Sequence, residues 1–196
     1  MIDLNDVSDE DRNNGITEVD RFISEWNDMP AYNERAISGI YVFTHGNDRA
    51  LIFEDGSSTN AISINGRNRA GEAIHALTEL NEVELHGVVS LFSCNAGHLE
   101  TYASLPDGNL ASALSLRITG NSSVIGYDGN VGFGNFLTAR GLSDDYTPRL
   151  SNDQEGYYDI LATRGARRRP PRGSVQYKDG VINNAYVPGM FTWGAA

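Results

Sequence analysis

The sequence predicts an α/β fold, a three-layer sandwich in which helices cover both faces of a mostly parallel central sheet. Between residues 40 and 127, strand-like and helix-like segments alternate in the order strand, hairpin, helix, strand, helix, strand, which favours a sheet with crossover helices. The segment from Gly87 to Phe92 is apolar at nearly every position, as expected for a strand that helices cover on both sides.

The first predicted element is an amphipathic helix in the segment TEVDRFISEWN, residues 17–27. Its apolar residues recur at helical spacing and define one face: Val19, Phe22, Ile23 and Trp26. Thr17 precedes this face and Asp20 follows three residues later, a spacing that predicts a capping interaction. We expect residues 1–36 to form a polar N-terminal arm with this helix, and residues 37–196 to form the main domain.

The remaining elements follow from short apolar runs and turn signals. Five runs predict strands, at 40–44, 50–53, 61–64, 87–92 and 123–127, with a hairpin turn in EDGSSTN between the second and third runs. Segments 70–80 and 110–118 predict helices. After Asp128 the sequence predicts long loops, including the glycine-rich GNVGFGN and the basic segment 165–173. The last stretch has strand-like pieces and an apolar patch at residues 190–193.

Composition restricts the possible partners. The chain has 196 residues, 40% of them hydrophobic, and a formal net charge of -11, which indicates a globular protein and disfavours nucleic acid and anionic membrane surfaces as partners. We find no apolar run of about 18 residues, so we expect no membrane span. The N-terminus lacks the pattern of a signal peptide. We expect a cytoplasmic protein, or one delivered into a target cell as part of a larger secreted protein.

Two reactive side chains follow predicted strand ends. His45 follows the run IYVFT, and Cys94, the single cysteine of the chain, follows VVSLFS. Asp128 follows the next predicted strand. Because parallel strands end at one edge of a sheet, we expect these residues to border a common crevice. A thiolate could attack a carbonyl there while the imidazole handles the proton, and backbone N–H groups of Gly46 and Cys94 could stabilise the oxyanion. The alternatives are a buried core cysteine and a histidine in an ordinary turn.

The motifs YVFTHGN and LFSCNAG resemble the two catalytic motifs of the caspase-fold cysteine peptidases, which include caspases, gingipains, CHAT domains and the autoprocessing domains of bacterial toxins. The likeness covers roughly residues 37–130, and the 49 positions between His45 and Cys94 are similar to the caspase spacing of about 50. The chain lacks the caspases' own Q-A-C-R-G sequence. The resemblance implies that Cys94 is the nucleophile and His45 the general acid/base, and that residues 37–196 form a caspase-like catalytic domain.

The resemblance also implies a pocket for the residue before the scissile bond. Asp128 lies near where relatives place pocket residues and would suit arginine or lysine, although YDGN is also an ordinary turn sequence; Asp48 is a second substrate-binding candidate. The expected partner is a protein or peptide substrate, with no metal or cofactor. Two other functions remain open: an amidase or deamidase with the same Cys94–His45 dyad, and an inactive scaffold that binds a protein.

Overall fold

The computed structural model describes residues 14–29, 37, 39–53, 59–128 and 174–185. Several sequence predictions lie outside these residues. They concern the first part of the polar arm, the glycine-rich segment after Asp128, the basic segment 165–173 and the apolar patch at 190–193.

The described elements are short. The helices are α1 (Glu18–Asp28), α2 (Leu99–Ser104) and α3 (Leu110–Ser115), with a 3-10 helix at Leu77–Glu79. The strands are β1 (Gly39–Phe43), β2 (His45–Gly46), β3 (Ala50–Ile52), β4 (Ala61–Ser63), β5 (His75–Ala76), β6 (Val83–Glu84), β7 (Val88–Phe92), β8 (Ile118–Thr119), β9 (Ser123–Tyr127), β10 (Ser174–Lys178) and β11 (Val181–Ala185).

The largest described sheet is mixed. Its strand order is β1-β7-β9-β10-β11, in which β1, β7 and β9 are parallel and β10 is antiparallel to both β9 and β11. A smaller sheet has the order β2-β3-β4-β5, and β6 pairs with β8. The described part of the chain is therefore mixed α/β, with parallel strands and few helices. The five predicted strands are confirmed as β1, β3, β4, β7 and β9, with bounds that differ by at most one residue.

The predicted helix at 70–80 is wrong. The Asn68 side chain accepts hydrogen bonds from the amides of Ala70 and Glu72, at 2.9 and 3.0 Å, and Gly71 has a positive φ of 84°, so this stretch closes a turn. The chain then enters β5, which pairs with β4. Asparagine competes with helix formation in this way because its side chain offers the backbone an alternative hydrogen-bond partner.

The predicted capping of α1 is confirmed. Thr17 is the N-cap, its hydroxyl accepts from the Asp20 amide at 3.3 Å, and the Asp20 carboxylate accepts from the Thr17 amide at 2.9 Å. Three residues of the apolar face are buried in the same core as β1, β3 and β7: Val19, Phe22 and Trp26. The indole of Trp26 donates to the carbonyl of Asn81 at 3.0 Å, so this helix is anchored to the domain.

A polar cluster adds to the attachment of α1. The two ring nitrogens of His75 lie 2.7 Å from a Glu79 oxygen and 3.3 Å from an Asp20 oxygen. Burial opposes ionisation of Asp20, but hydrogen bonds from Thr17 and the charge of His75 outweigh it and hold the pKa of Asp20 below its ordinary value. Burial likewise opposes ionisation of Glu79, while hydrogen bonds from His75 and the Ala76 amide hold its pKa below the ordinary value. Both carboxylates are thus stabilised in the charged form.

None of the helices in the described ranges combines the length and the apolar character that crossing a bilayer requires. The core packs residues of α1 and α3 against strands of both the main sheet and the smaller sheet. Its largest fully buried side chains include Trp26, Tyr177, Leu51, Leu91 and Leu114.

Candidate active site

The structure brings the predicted histidine and cysteine to the same edge of the main sheet. Strands β1 and β7 are parallel with Phe43 opposite Phe92, and the amide of Thr44 donates to the carbonyl of Phe92 at 3.4 Å. His45 and Cys94 each come two residues after this register pair. Because neighbouring strands lie about 4.8 Å apart, the two residues leave the sheet side by side.

Gly46 lies against the residue before the cysteine. A Cβ atom at Gly46 would overlap the hydroxyl of Ser93 and would lie 2.6 Å from the carbonyl oxygen of Ala50. The glycine after His45 is therefore required by the packing of the protein itself. The same contact places the backbone of the histidine turn against the side chain of Ser93, the residue before Cys94.

Accessibility differs between the two reactive groups. His45 is exposed, whereas Cys94 is partly buried. Asn95, directly after the cysteine, has a φ of 57°. This left-handed conformation is uncommon outside glycine but is adopted by asparagine several-fold more often than by most residues. It reverses the chain immediately after Cys94.

Two glycines that the sequence analysis did not single out hold the cysteine turn against β9. The amide of Gly97 donates to the carbonyl of Tyr127 at 3.0 Å. A Cβ atom on Gly97 would lie 2.6 Å from the Gly126 carbonyl carbon, and one on Gly126 would lie 2.7 Å from the Gly97 nitrogen. Each glycine is needed because the two backbones touch. A glycine inside an apolar strand was the available signal, since such a residue often marks close backbone approach.

Asp48 is engaged by two neighbouring elements. Its carboxylate accepts a hydrogen bond from the Thr101 hydroxyl of α2 at 2.5 Å, and its carbonyl accepts from the amide of Leu110 at 2.8 Å. These bonds attach the turn after His45 to the starts of both helices that follow Cys94. The role of Asp48 in substrate binding stays a prediction.

Asp128 lies at the end of β9, on the same edge, and its side chain is only 7% exposed. The nearest histidine nitrogen is Nδ1 of His98, at 3.8 Å from a carboxylate oxygen. That nitrogen also accepts a hydrogen bond from the amide of Glu100 at 3.1 Å and caps α2. His98 is therefore the N-cap of α2, and the pocket role of Asp128 stays a prediction.

One groove of the described residues lies elsewhere. It has a volume of about 650 Å³ and is lined by residues that include Leu77, Tyr102, Leu105, Leu116 and Gly180. Gly180 follows the end of β10 that pairs with the start of β9, so the groove lies away from the strand ends that carry the cysteine and histidine. We place the candidate site at the rim because the reactive groups, rather than this groove, determine what chemistry is possible.

Within the described ranges, no group of histidine, cysteine, aspartate and glutamate side chains has an arrangement that could hold a metal ion. A comparison of the chain with models of known families, with characterised proteins and with solved structures finds no match. The geometry at the rim is therefore the basis for any functional assignment.

Proposed function

We propose that the protein is a cysteine endopeptidase in which Cys94 is the nucleophile and His45 is the general acid/base. One observation carries the proposal. Strands β1 and β7 are adjacent and parallel, and His45 and Cys94 each follow two residues after the register pair Phe43–Phe92. A thiol and an imidazole on neighbouring strand ends can act on one carbonyl group.

The reaction is acyl transfer in two stages. The Cys94 thiolate forms a bond to the carbonyl carbon of the scissile amide, and the resulting oxyanion collapses with loss of the C–N bond. The imidazolium of His45 protonates the departing amine. Water, deprotonated by the neutral imidazole, then attacks the thioester and releases a carboxylic acid and the thiolate. The protein ends in its starting state, so no oxidant, reductant or metal is needed for the balance.

The amide of Gly46 is suited to bind the oxyanion. The Asn47 amide donates to the Ala50 carbonyl at 3.0 Å, which makes that pair of the hairpin a hydrogen-bonded pair. Hydrogen-bonded and non-bonded pairs alternate along an antiparallel ladder, so the next pair, Gly46 opposite Leu51, directs its amides away from the ladder. The Gly46 N–H thus has no partner in β3, and together with the Cys94 N–H it would form the oxyanion hole.

The proposal includes the caspase-like fold, with β1, β7 and β9 as the parallel part of a three-layer sandwich. It also includes a preference for arginine or lysine before the scissile bond. The buried carboxylate of Asp128 would form a charge-assisted hydrogen bond with a guanidinium that reached it. The second substrate-binding candidate is Asp48. A chain with one lysine among 15 basic residues would resist ubiquitin tagging, which suits an effector or toxin module delivered into a host cell.

A peptide-library cleavage profile tests the proposal, with variants at the two reactive positions. Cys94→Ala should abolish cleavage, and His45→Ala should lower kcat about 10²- to 10⁴-fold, the usual contribution of general acid–base catalysis. His86→Ala is the matched control, because His86 is an exposed histidine on the loop after β6. Undiminished cleavage by Cys94→Ala would refute the mechanism. Release of ammonia without peptide cleavage would indicate an amidase or deamidase instead.

The specificity part has its own test. Asp128→Asn should lower kcat/KM for arginyl substrates at least about tenfold more than for neutral ones, because a charge-assisted bond is roughly twice as strong as a neutral one. Equal losses for both classes would exclude a basic-residue pocket at Asp128. A protein whose Cys94 resists iodoacetamide under native conditions would be a scaffold rather than an enzyme.

A further inference from the structure

We propose that Tyr177 and Asn109 are positioning residues for Cys94. Their buried hydrogen bonds fix the turn that carries the thiol and set its distance from the histidine turn. This inference rests on the proposed function, which supplies the reason why the position of the thiol matters. Neither residue follows a strand at the rim: Tyr177 belongs to β10, and Asn109 precedes α3.

The two side chains bind the carbonyl groups at the back of the cysteine turn. The hydroxyl of Tyr177 donates to the carbonyl of Gly97 at 3.1 Å. The amide nitrogen of Asn109 donates to the carbonyl of His98 at 3.1 Å and to the hydroxyl of Tyr177 at 2.6 Å. Both Tyr177 and Asn109 are fully buried. In a buried network of this kind each bond is worth more than at a surface, and losing one partner leaves the other unsatisfied.

Asn109 also fixes the start of α3. It is the N-cap of this helix, and its side-chain oxygen accepts from the amide of Ser112 at 2.9 Å. The next two backbone amides of the chain bind the turns that follow His45 and Cys94. The amide of Leu110 donates to the carbonyl of Asp48 at 2.8 Å, and that of Ala111 donates to the carbonyl of Ala96 at 2.9 Å.

The buried start of α3 therefore contacts the turns that follow both residues of the candidate dyad. Ala96 is two residues after Cys94, and Asp48 is three residues after His45. A shift of the helix start would move the two turns relative to each other. Because a misplacement of about 1 Å can cost roughly 10²-fold in rate, the network should affect catalysis more than substrate binding.

Tyr177→Phe is the direct test, since it removes one hydroxyl and leaves the ring in place. Tyr102→Phe is the matched control, because the Tyr102 ring packs against Tyr177 at 5.4 Å between centroids while its hydroxyl has no part in the network. We expect Tyr177→Phe to lower kcat roughly 10- to 100-fold with KM changed less than about twofold. The rate of Cys94 alkylation by iodoacetamide, followed against pH by mass spectrometry, should change in Tyr177→Phe and not in Tyr102→Phe.

Alkylation requires no substrate, so the test separates this inference from the proposed function. If the wild type cleaves no peptide, the proposed function fails, and the alkylation comparison still decides whether the network positions the thiol. Wild-type alkylation and wild-type kcat in Tyr177→Phe would overturn the inference, as would equal effects in Tyr102→Phe. If Tyr177→Phe does not fold, Asn109→Ser decides instead: it keeps an N-cap oxygen, loses the amide donors and should show the same loss.

Discussion

Replacing Gly126 with alanine should destabilise the protein. Gly126 lies within β9, and a Cβ atom there would lie 2.7 Å from the Gly97 nitrogen, 2.8 Å from the Ala111 Cβ and 2.9 Å from the Ala96 carbonyl carbon. Ordinary contact begins at 3.4 Å, so the Gly97 backbone must move by about 0.7 Å. Two of the three neighbouring atoms are backbone and Ala111 is fully buried, so no flexible side chain can give way.

Two effects of opposite sign determine how much Gly126→Ala changes the free energy of unfolding. Alanine in a strand interior gains about 0.5–1 kcal/mol over glycine, because glycine loses more conformational freedom on folding. Overpacking a filled site costs about 1–3 kcal/mol, and rigid backbone neighbours place Gly126 at the upper end. We therefore expect a net loss of about 2 kcal/mol in the free energy of unfolding.

Urea unfolding followed by tryptophan fluorescence measures this change, since Trp26 is 2% exposed in the folded protein. The matched control is Gly39→Ala in β1, where the nearest atoms, at 3.2 Å, belong to the Tyr41 side chain. Tyr41 is 48% exposed and can move, so this variant should be neutral or slightly stabilised. If Gly126→Ala were as stable as Gly39→Ala, the close packing of the cysteine turn on β9 would be refuted.

Three further changes test the helix cap, the acidic cluster and a buried hydroxyl. Thr17→Ala removes the cap of α1 and should lower the free energy of unfolding by about 1 kcal/mol. Because the folded-state pKa values of Asp20 and Glu79 are lowered, their stabilisation is present above the ordinary carboxyl pKa and is lost as the pH falls through the folded values. Wild-type stability should therefore decline more steeply between about pH 5 and pH 3 than that of Asp20→Asn/Glu79→Gln. Ser93→Ala should be neutral or up to about 1 kcal/mol more stable, because the buried Ser93 hydroxyl has no hydrogen-bond partner within the described ranges.

Each of these three predictions has a control variant or an outcome that would contradict it. The exposed Thr78 gives the control Thr78→Ala, and an equal loss there would contradict the capping role of Thr17. If the stability of the wild type and of the double variant declined equally with pH, the predicted stabilisation by ionised Asp20 and Glu79 would be contradicted. Ser122→Ala loses a bond of 3.2 Å to the carbonyl of Thr119 and should be destabilised by about 0.5–1.5 kcal/mol. A larger loss in Ser93→Ala would show that the Ser93 hydroxyl has a partner.

Local sequence patterns predicted the structure correctly where the interacting residues lie within one helix or strand. The cap of α1 follows from Thr17 and Asp20, because both partners lie within one turn of the chain. Apolar runs predicted β7 and β9, because short apolar runs that contain β-branched residues and are bounded by turn signals are typical of buried strands. Segment 70–80 was predicted as a helix, but it begins in a turn held by the Asn68 side chain. Hydrophobic periodicity contains no information about a side chain that binds the backbone.

The sequence by itself determined that the chain is an α/β protein with a histidine and a cysteine at two strand ends. Only the tertiary structure decided that these strands are neighbours in parallel register, that β10 runs antiparallel to β9, and that Tyr177 reaches the turn after Cys94. The physical reason is the separation of the interacting residues along the sequence. Caps, turns and strand periodicity depend on residues a few positions apart. Strand pairing and the hydrogen bond from Tyr177 to Gly97 join residues far apart in the chain, and no local pattern specifies them.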